Sequence, residues 1–250
     1  MNPQIKVQGV SVSLGGANVL KDVTFELGEG QFLAVLGGNG SGKTTLLRVL
    51  LSLLPISAGQ VQISAGSVAY MPQRLPNIGS VPVSVREFAS AGAVRGIQAS
   101  VKSANVQWAL ETVCIWPLRR RSVDSLSGGQ QRLTMFARAL VNRANLIMLD
   151  EPSAGVDAEH QHELVACLRS LLAQNASIIY VTHELGLVEP LVDKVLVLDR
   201  DETTSVAYLG ALPLPKGIRA YVHHHDDVAS HGLGANLGVS HADLSPEIKS

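Results

Sequence analysis

Four short stretches of this chain carry residue types at spacings that can do chemistry. The first, Gly37-Gly38-Asn39-Gly40-Ser41-Gly42-Lys43-Thr44-Thr45, fits the pattern G-x-x-x-x-G-K-[S/T]. Glycines there let successive backbone N–H groups turn inward around phosphate oxygens. The Lys43 ammonium would reach the outer phosphates, and the Thr44 hydroxyl would ligate Mg²⁺. The second stretch is Asp150-Glu151, directly after the apolar run Leu146-Ile147-Met148-Leu149. An Asp–Glu pair after a strand is commonly a solvated turn. A phosphate cradle, however, demands a carboxylate on the Mg²⁺ side, so Asp150 takes that role and Glu151 orients or deprotonates an attacking water. The third is His183, just past Ile178-Ile179-Tyr180-Val181. A lone histidine is more often structural, but at a strand end on the cradle's edge it could stabilise charge on a terminal phosphate.

The fourth stretch, Ser125-Leu126-Ser127-Gly128-Gly129-Gln130-Gln131-Arg132, precedes a helical pattern. Leu133, Phe136, Ala137, Leu140 and Val141 recur on one face of that helix. Free backbone N–H groups and the helix dipole make such a start an anion site. Yet the loop holds no lysine, so its anion must be delivered by another surface.

The elements that must position these residues are visible as well. Phe32–Leu36, Leu146–Leu149, Ile178–Val181 and Val195–Leu198 are continuous apolar runs. Such runs are expected when both faces of a parallel sheet are covered. Helical patterns at about 43–53, 129–142 and 159–173 separate them, so the core is α/β. The phosphate loop therefore lies between a strand and a helix, the context that supports its assignment. Lys6–Val12 and Val23–Leu27 instead alternate around Gly15-Gly16, predicting an antiparallel, hairpin-like sheet. Between about 74 and 125 strand signals vanish, and helical material such as Val101–Val113 takes over as an insertion. From about Leu212, Pro213, Pro215, several glycines and five of the eight histidines predict a loosely packed tail.

Bulk properties bound the reading. The 250 residues allow one large or two small domains, and 46% hydrophobic content supports a substantial core. A net charge of -1 argues against a nucleic-acid surface. Two cysteines, Cys114 and Cys167, make no disulfide framework, and Cys167 falls on an apolar helix stripe with Leu164, Leu168, Leu171 and Leu172. No signal peptide or run of about 18 apolar residues is visible, so the chain is expected to reach a membrane only by docking on a protein that spans it.

Taken in order, GGNGSGKTT, Gln73 in AYMPQ, LSGGQ, LIMLDEP, SAGVD and the histidine of VTHE resemble the ATP-binding subunits of ABC transporters over roughly residues 4–210. The resemblance implies an α/β P-loop NTPase (ABC ATPase) core with mixed sheet, an N-terminal antiparallel β-subdomain and an inserted α-helical subdomain. It implies an ATP-binding domain over 1–210, with the helical insertion at about 74–145, and a His-containing tail over 211–250. Cassettes of this family pair head to tail around two ATP. Ser127, Gly128, Gly129 and Gln130 would thus meet the γ-phosphate held by the partner's Lys43, with Asp157 along the same interface. Gln73 would touch Mg²⁺ or the attacking water and report to the insertion, which would receive the coupling helix of an integral membrane permease subunit. The implied place is the cytoplasmic face of the membrane, beside an extracytoplasmic solute-binding protein.

Two positions depart from the family. Leu14 stands where an aromatic residue usually stacks on adenine, and Gly38 where proline is frequent. MPQRLPNIGSVPVSVREF and EPSAGVD look like cassettes of zinc and manganese importers. The tail residues His223, His224, His225, Asp226, Asp227, His231 and His241 suit such ions. The alternatives are an ABC ATPase of another importer or an exporter, or a soluble ABC ATPase outside transport. A GTPase switch is disfavoured, because no Asn-Lys-x-Asp motif occurs.

Overall fold

The computed structural model of the chain describes residues 3–74, 82–199, 205–215 and 218. Two sheets organise it. The first, three-stranded, has the order β2-β1-β4, with β1 Ile5–Leu14, β2 Ala17–Leu27 and β4 Ala58–Ile63 all antiparallel to their neighbours. The expected hairpin is present, and it gains a third strand. The second sheet has the order β5-β6-β7-β3-β8-β9. Its strands β3 Phe32–Leu36, β5 Val68–Met71, β6 Leu146–Asp150, β7 Ser177–Val181 and β8 Lys194–Leu198 run parallel, and β9 Val206–Gly210 closes one edge antiparallel to β8.

The continuous apolar runs are explained by coverage on both faces. Along β3, Phe32, Ala34 and Leu36 enter one core cluster while Leu33 and Val35 enter another. β6, β7 and β8 divide in the same alternating way. One cluster joins the sheet to the antiparallel subdomain and to α1, Lys43–Leu50. The other packs the opposite face against α4, Gly128–Leu140, and α5, Ala158–Ala173. On α5 Leu164, Cys167, Leu168 and Leu171 are buried. Helix α1 ends at Leu50, short of the periodic pattern, because Ser52 takes a left-handed backbone at φ 56°.

Between β5 and β6 lies the helical insertion: α2 Val85–Ser90, α3 Ala99–Thr112, the 3-10 turns Trp116–Leu118 and Val123–Ser125, and α4. Ser84 and Glu87 cap α2 reciprocally, which sets its start. The segment from Leu212 begins attached rather than loose: Leu212 and Leu214 rest on the larger core and Ile218 is buried, since apolar side chains there find a surface to cover. His223, His224, His225, His231 and His241 lie outside the described residues. Among the described residues no helix is long and apolar enough to cross a membrane.

Candidate functional site

Four parallel strands deliver the predicted residues to one sheet edge. The registers Val35↔Val181, Asp150↔Val181 and Met71↔Leu149 bring the ends of β3, β7, β6 and β5 level. The phosphate loop, Asp150-Glu151, Gln73 and His183 therefore all follow carboxyl ends of strands, where open α/β sheets bind ligands.

The loop is shaped for an anion. Gly37, Gly40 and Gly42 have φ of 147°, 78° and 101°. A Cβ on Gly37 would stand 2.3 Å from the Leu198 carbonyl oxygen, and one on Gly42 2.6 Å from Leu20 Cδ2. Gly42 is also the N-cap of α1 and offers no side chain to its N–H groups, and the first turn holds no acid. The first N–H groups of a helix lack carbonyl partners within it. They stay available to an external anion. Among the described residues the buried Ser41 hydroxyl has no hydrogen-bond partner either. Lys43, 7% exposed, folds its ammonium back to donate to the carbonyls of Gly37 and of Gly38, the latter at 2.8 Å. Asn39 and Gly40 are exposed at the loop's tip, and Thr45 is half-buried behind it.

Across the loop, Thr44 Oγ1 donates to Asp150 Oδ2 at 3.2 Å. Asp150 is 2% exposed, and burial raises its pKa above 3.8, opposed by the Thr44 hydrogen bond and reinforced by the charge of Glu151. This hydroxyl–carboxylate pair fits Mg²⁺, which is commonly held by one or two carboxylates together with substrate phosphates. Glu151 adopts a left-handed backbone at φ 48°, unusual for a residue with a side chain, and is pinned by its N–H donating to the Val181 carbonyl at 2.9 Å. Gln73 Nε2 donates to Glu151 Oε2 at 2.6 Å, so the two residues expected to handle water are already in contact. His183 lies exposed on the same edge, beside a 320 Å³ cavity that also touches Ser153, Tyr180 and Thr182. In that cavity wall burial pushes the Tyr180 hydroxyl up to about 12, eased by its hydrogen bond with Ser153.

The start of α4 is built separately. Ser127 caps α4: the Gln130 N–H donates to Ser127 Oγ and the Ser127 N–H to Gln130 Oε1, both at 3.3 Å. This capping box holds a helix start at which Ser127 and Gly128 are exposed. Gly129 is buried, and a Cβ on it would meet the His160 ring at 3.2 Å. His160 belongs to α5, whose N-cap Asp157 accepts from the His160 N–H at 3.0 Å. The bonds with His160 hold the Asp157 carboxyl below its usual value. Leu14 is 40% exposed at the end of β1.

One residue was not singled out by type or spacing. Arg132, half-buried on α4, donates through Nη1 to the Gln73 carbonyl and through Nε to the Ala154 carbonyl at 3.3 Å. Burial lowers its pKa, while the charges of Glu151 and Asp150 raise it. Its signal was present in the quoted stretch, but the partners are 59 and 22 residues away in sequence.

Comparison with known proteins agrees with this geometry. A family model described as ABC transporter matches residues 20–154. A zinc import ATP-binding protein ZnuC of Histophilus somni is 32% identical over 90% of this chain and 88% of its own length. A ZnuC of Yersinia pestis is 36% identical over 78% of this chain and 76% of its own. Among solved structures, a metal-chelate-type ABC transporter in an inward-facing conformation aligns at TM-score 0.79 and 27% identity, covering 89% of this chain and 90% of that one. The cbiO1 subunit of Clostridium perfringens aligns at TM-score 0.73 and 25% identity, covering 93% and 96%. The family match, the related sequences and the shared fold converge, and the chain belongs to the ABC transporter family as an ATP-binding subunit that hydrolyses ATP.

Proposed function

We propose that two copies of this chain, or this chain and a paired cassette, close head to tail around two ATP molecules and so drive import of zinc or manganese through membrane permease subunits. The observation that carries the reading is the separation of two complementary half-sites. One holds a lysine, a hydroxyl and two carboxylates beside a phosphate loop. The other is an exposed, capped helix start offering amides and no cation. Each supplies what the other lacks, and two-fold symmetry then builds two equivalent sites.

In this arrangement the amides of residues 37–45 and Lys43 hold the triphosphate of the substrate ATP. Thr44 and Asp150, with Gln73 beside them, would hold Mg²⁺, whose charge would offset the negative charge of the triphosphate. Glu151 accepts the proton of the water that attacks the γ-phosphorus, and the bond to the ADP oxygen breaks. Gln73 steers the carboxylate it already touches. Ser127, Gly128, Gly129 and Gln130 close on the γ-phosphate from the other subunit, and His183 donates to it as charge redistributes. ATP favours the closed pair and its hydrolysis products do not, which converts binding into motion.

The motion is passed to the membrane through the helical insertion. A 340 Å³ groove between β5, α2 and α4, lined by Tyr70, Pro72, Arg74, Phe88, Met135 and Arg138, suits a coupling helix of the permease. Arg138 stacks on the Phe88 ring at 4.9 Å and stiffens one wall. The ion is suggested by the relatives named for zinc import. An extracytoplasmic binding protein would complete the system, and the chain would sit peripherally on the cytoplasmic face. The test is reconstitution with the cognate permease in vesicles. ATP-dependent uptake of zinc or manganese supports the reading, and ATP-dependent transport of a different solute, or outward transport, replaces it.

A further inference from the structure

Helix α4 touches both half-sites of the same chain. Its N-terminal residues Ser127 to Gln130 form the capped start, exposed at Ser127 and Gly128, and Arg132 follows within the next turn. The rise of 1.5 Å per residue puts these positions less than about 10 Å apart on one rigid element. The Arg132 guanidinium then spans two loops of the acidic edge. Nη1 donates to the carbonyl of Gln73, whose side chain donates to Glu151 Oε2 at 2.6 Å. Nε donates to the carbonyl of Ala154 at 3.3 Å, and the Ala154 N–H in turn donates to the Glu151 carbonyl at 3.2 Å. Both of its contacts are thus one step from Glu151, one by way of a side chain and one by way of a backbone turn. The charges of Glu151 and Asp150 attract the same guanidinium and oppose the penalty of its burial.

We infer that Arg132 is a positioning residue that joins the two ATP sites of the pair: it ties the position of the α4 start to the placement of the same chain's Gln73 and Glu151. The inference rests on the head-to-tail reading above. There, the α4 start engages the nucleotide held by the partner subunit, so filling one site displaces the helix whose guanidinium grips the catalytic edge of the other. The two sites then fire together. A planar fork is required, because a lysine ammonium keeps the charge yet does not present two fixed donors to two carbonyls. Arg132 contacts neither the phosphate loop nor the capping pair through any of these bonds, so its loss should spare nucleotide binding.

The experiment uses the full chain as wild type, Arg132→Lys and Arg132→Met. ATP hydrolysis is measured across ATP concentrations, nucleotide affinity with a fluorescent ATP analogue, and dimer formation by size-exclusion chromatography with each change placed in a Glu151→Gln background. The wild type should show a Hill coefficient above 1, up to about 2 for two sites. In both variants the Hill coefficient should fall to about 1 and kcat by roughly tenfold, the scale of a modest misplacement of a catalytic group. KM, affinity and dimer formation should stay within about twofold, a split that a general loss of structure would not give. An unchanged Hill coefficient and kcat in Arg132→Lys overturn the inference alone. So does failure of either variant to dimerise where Glu151→Gln does, since Arg132 would then serve assembly. If Glu151→Gln itself never dimerises, the head-to-tail reading falls and takes this inference with it.

Discussion

Replacing Thr44 with valine isolates one bond at the centre of the site. The two side chains are nearly the same size, so the change removes the hydroxyl and leaves little cavity. What is lost is the donor to Asp150 Oδ2, on a carboxylate 2% exposed. A hydrogen bond to a charged group contributes about 1.5–3 kcal/mol. At 3.2 Å this one is longer than most O–H···O bonds, which places it at the lower end, about 1.5 kcal/mol. For a chain of this size that corresponds to a fall in Tm of roughly 3–6 °C. Thermal and urea unfolding should be run without nucleotide or Mg²⁺, so that only the protein's own bond is read.

The pH dependence gives a second, independent check on Thr44→Val. Burial raises the Asp150 pKa above 3.8, so the native state holds the proton more tightly than the unfolded chain. Ionising Asp150 therefore subtracts stability as pH rises through the native pKa. The Thr44 bond opposes that rise, and its removal raises the pKa further. The difference between wild type and variant must be full above the variant's native pKa and shrink as pH falls toward 3.8. A change in stability below about 0.5 kcal/mol at neutral pH, on a scale where such bonds count for about 1.5, would refute the proposed bond. A difference that does not vary with pH would refute the assignment to Asp150. Mg²⁺-dependent hydrolysis should also fall by at least about tenfold, because the same hydroxyl is the proposed metal ligand.

Other expectations follow from the same geometry. Gly42→Ala must hold φ 101° and place a Cβ 2.6 Å from Leu20 Cδ2 and 3.0 Å from the Val19 carbonyl. It should cost about 2–4 kcal/mol of stability by chemical unfolding, and a loss below about 1 kcal/mol would contradict the strained cap. Leu14→Tyr, at a position 40% exposed at the end of β1, should tighten ATP binding by about 1 kcal/mol, roughly fivefold in Kd. A titration without gain would count against adenine lying there. Calorimetry of the full chain should detect zinc binding at micromolar concentration that disappears when His223, His224 and His225 are changed to alanine; no binding in the wild type removes the reading that these tail residues hold such ions.

Legibility in the sequence followed burial. β3, β6, β7 and β8 were readable because each is covered on both faces and so spells a continuous apolar run. β4 reads Ala-Gly-Gln-Val-Gln-Ile at the rim of its sheet, and β5 and β9 are edge strands with exposed positions, so none spells such a run. Lys43, Thr44, Asp150 and Glu151 were legible because their chemistry is bound to local spacing. The Gln73–Glu151 and Arg132–Gln73 bonds were not, since they join residues 78 and 59 positions apart and depend on how β5, β6 and α4 pack. The Ser127–Gln130 capping box, by contrast, is written in plain S-x-x-Q spacing around Gly128 and Gly129.

The central claim is that one chain's phosphate loop is completed by the α4 start of another. Light scattering on Glu151→Gln with Mg²⁺ and ATP tests it most directly, because the variant is expected to bind ATP without consuming it. The account predicts a species of twice the 26.5 kDa chain mass holding two nucleotides, which dissociates when Ser127 is also replaced by arginine. A nucleotide-saturated species that remains at 26.5 kDa would contradict it.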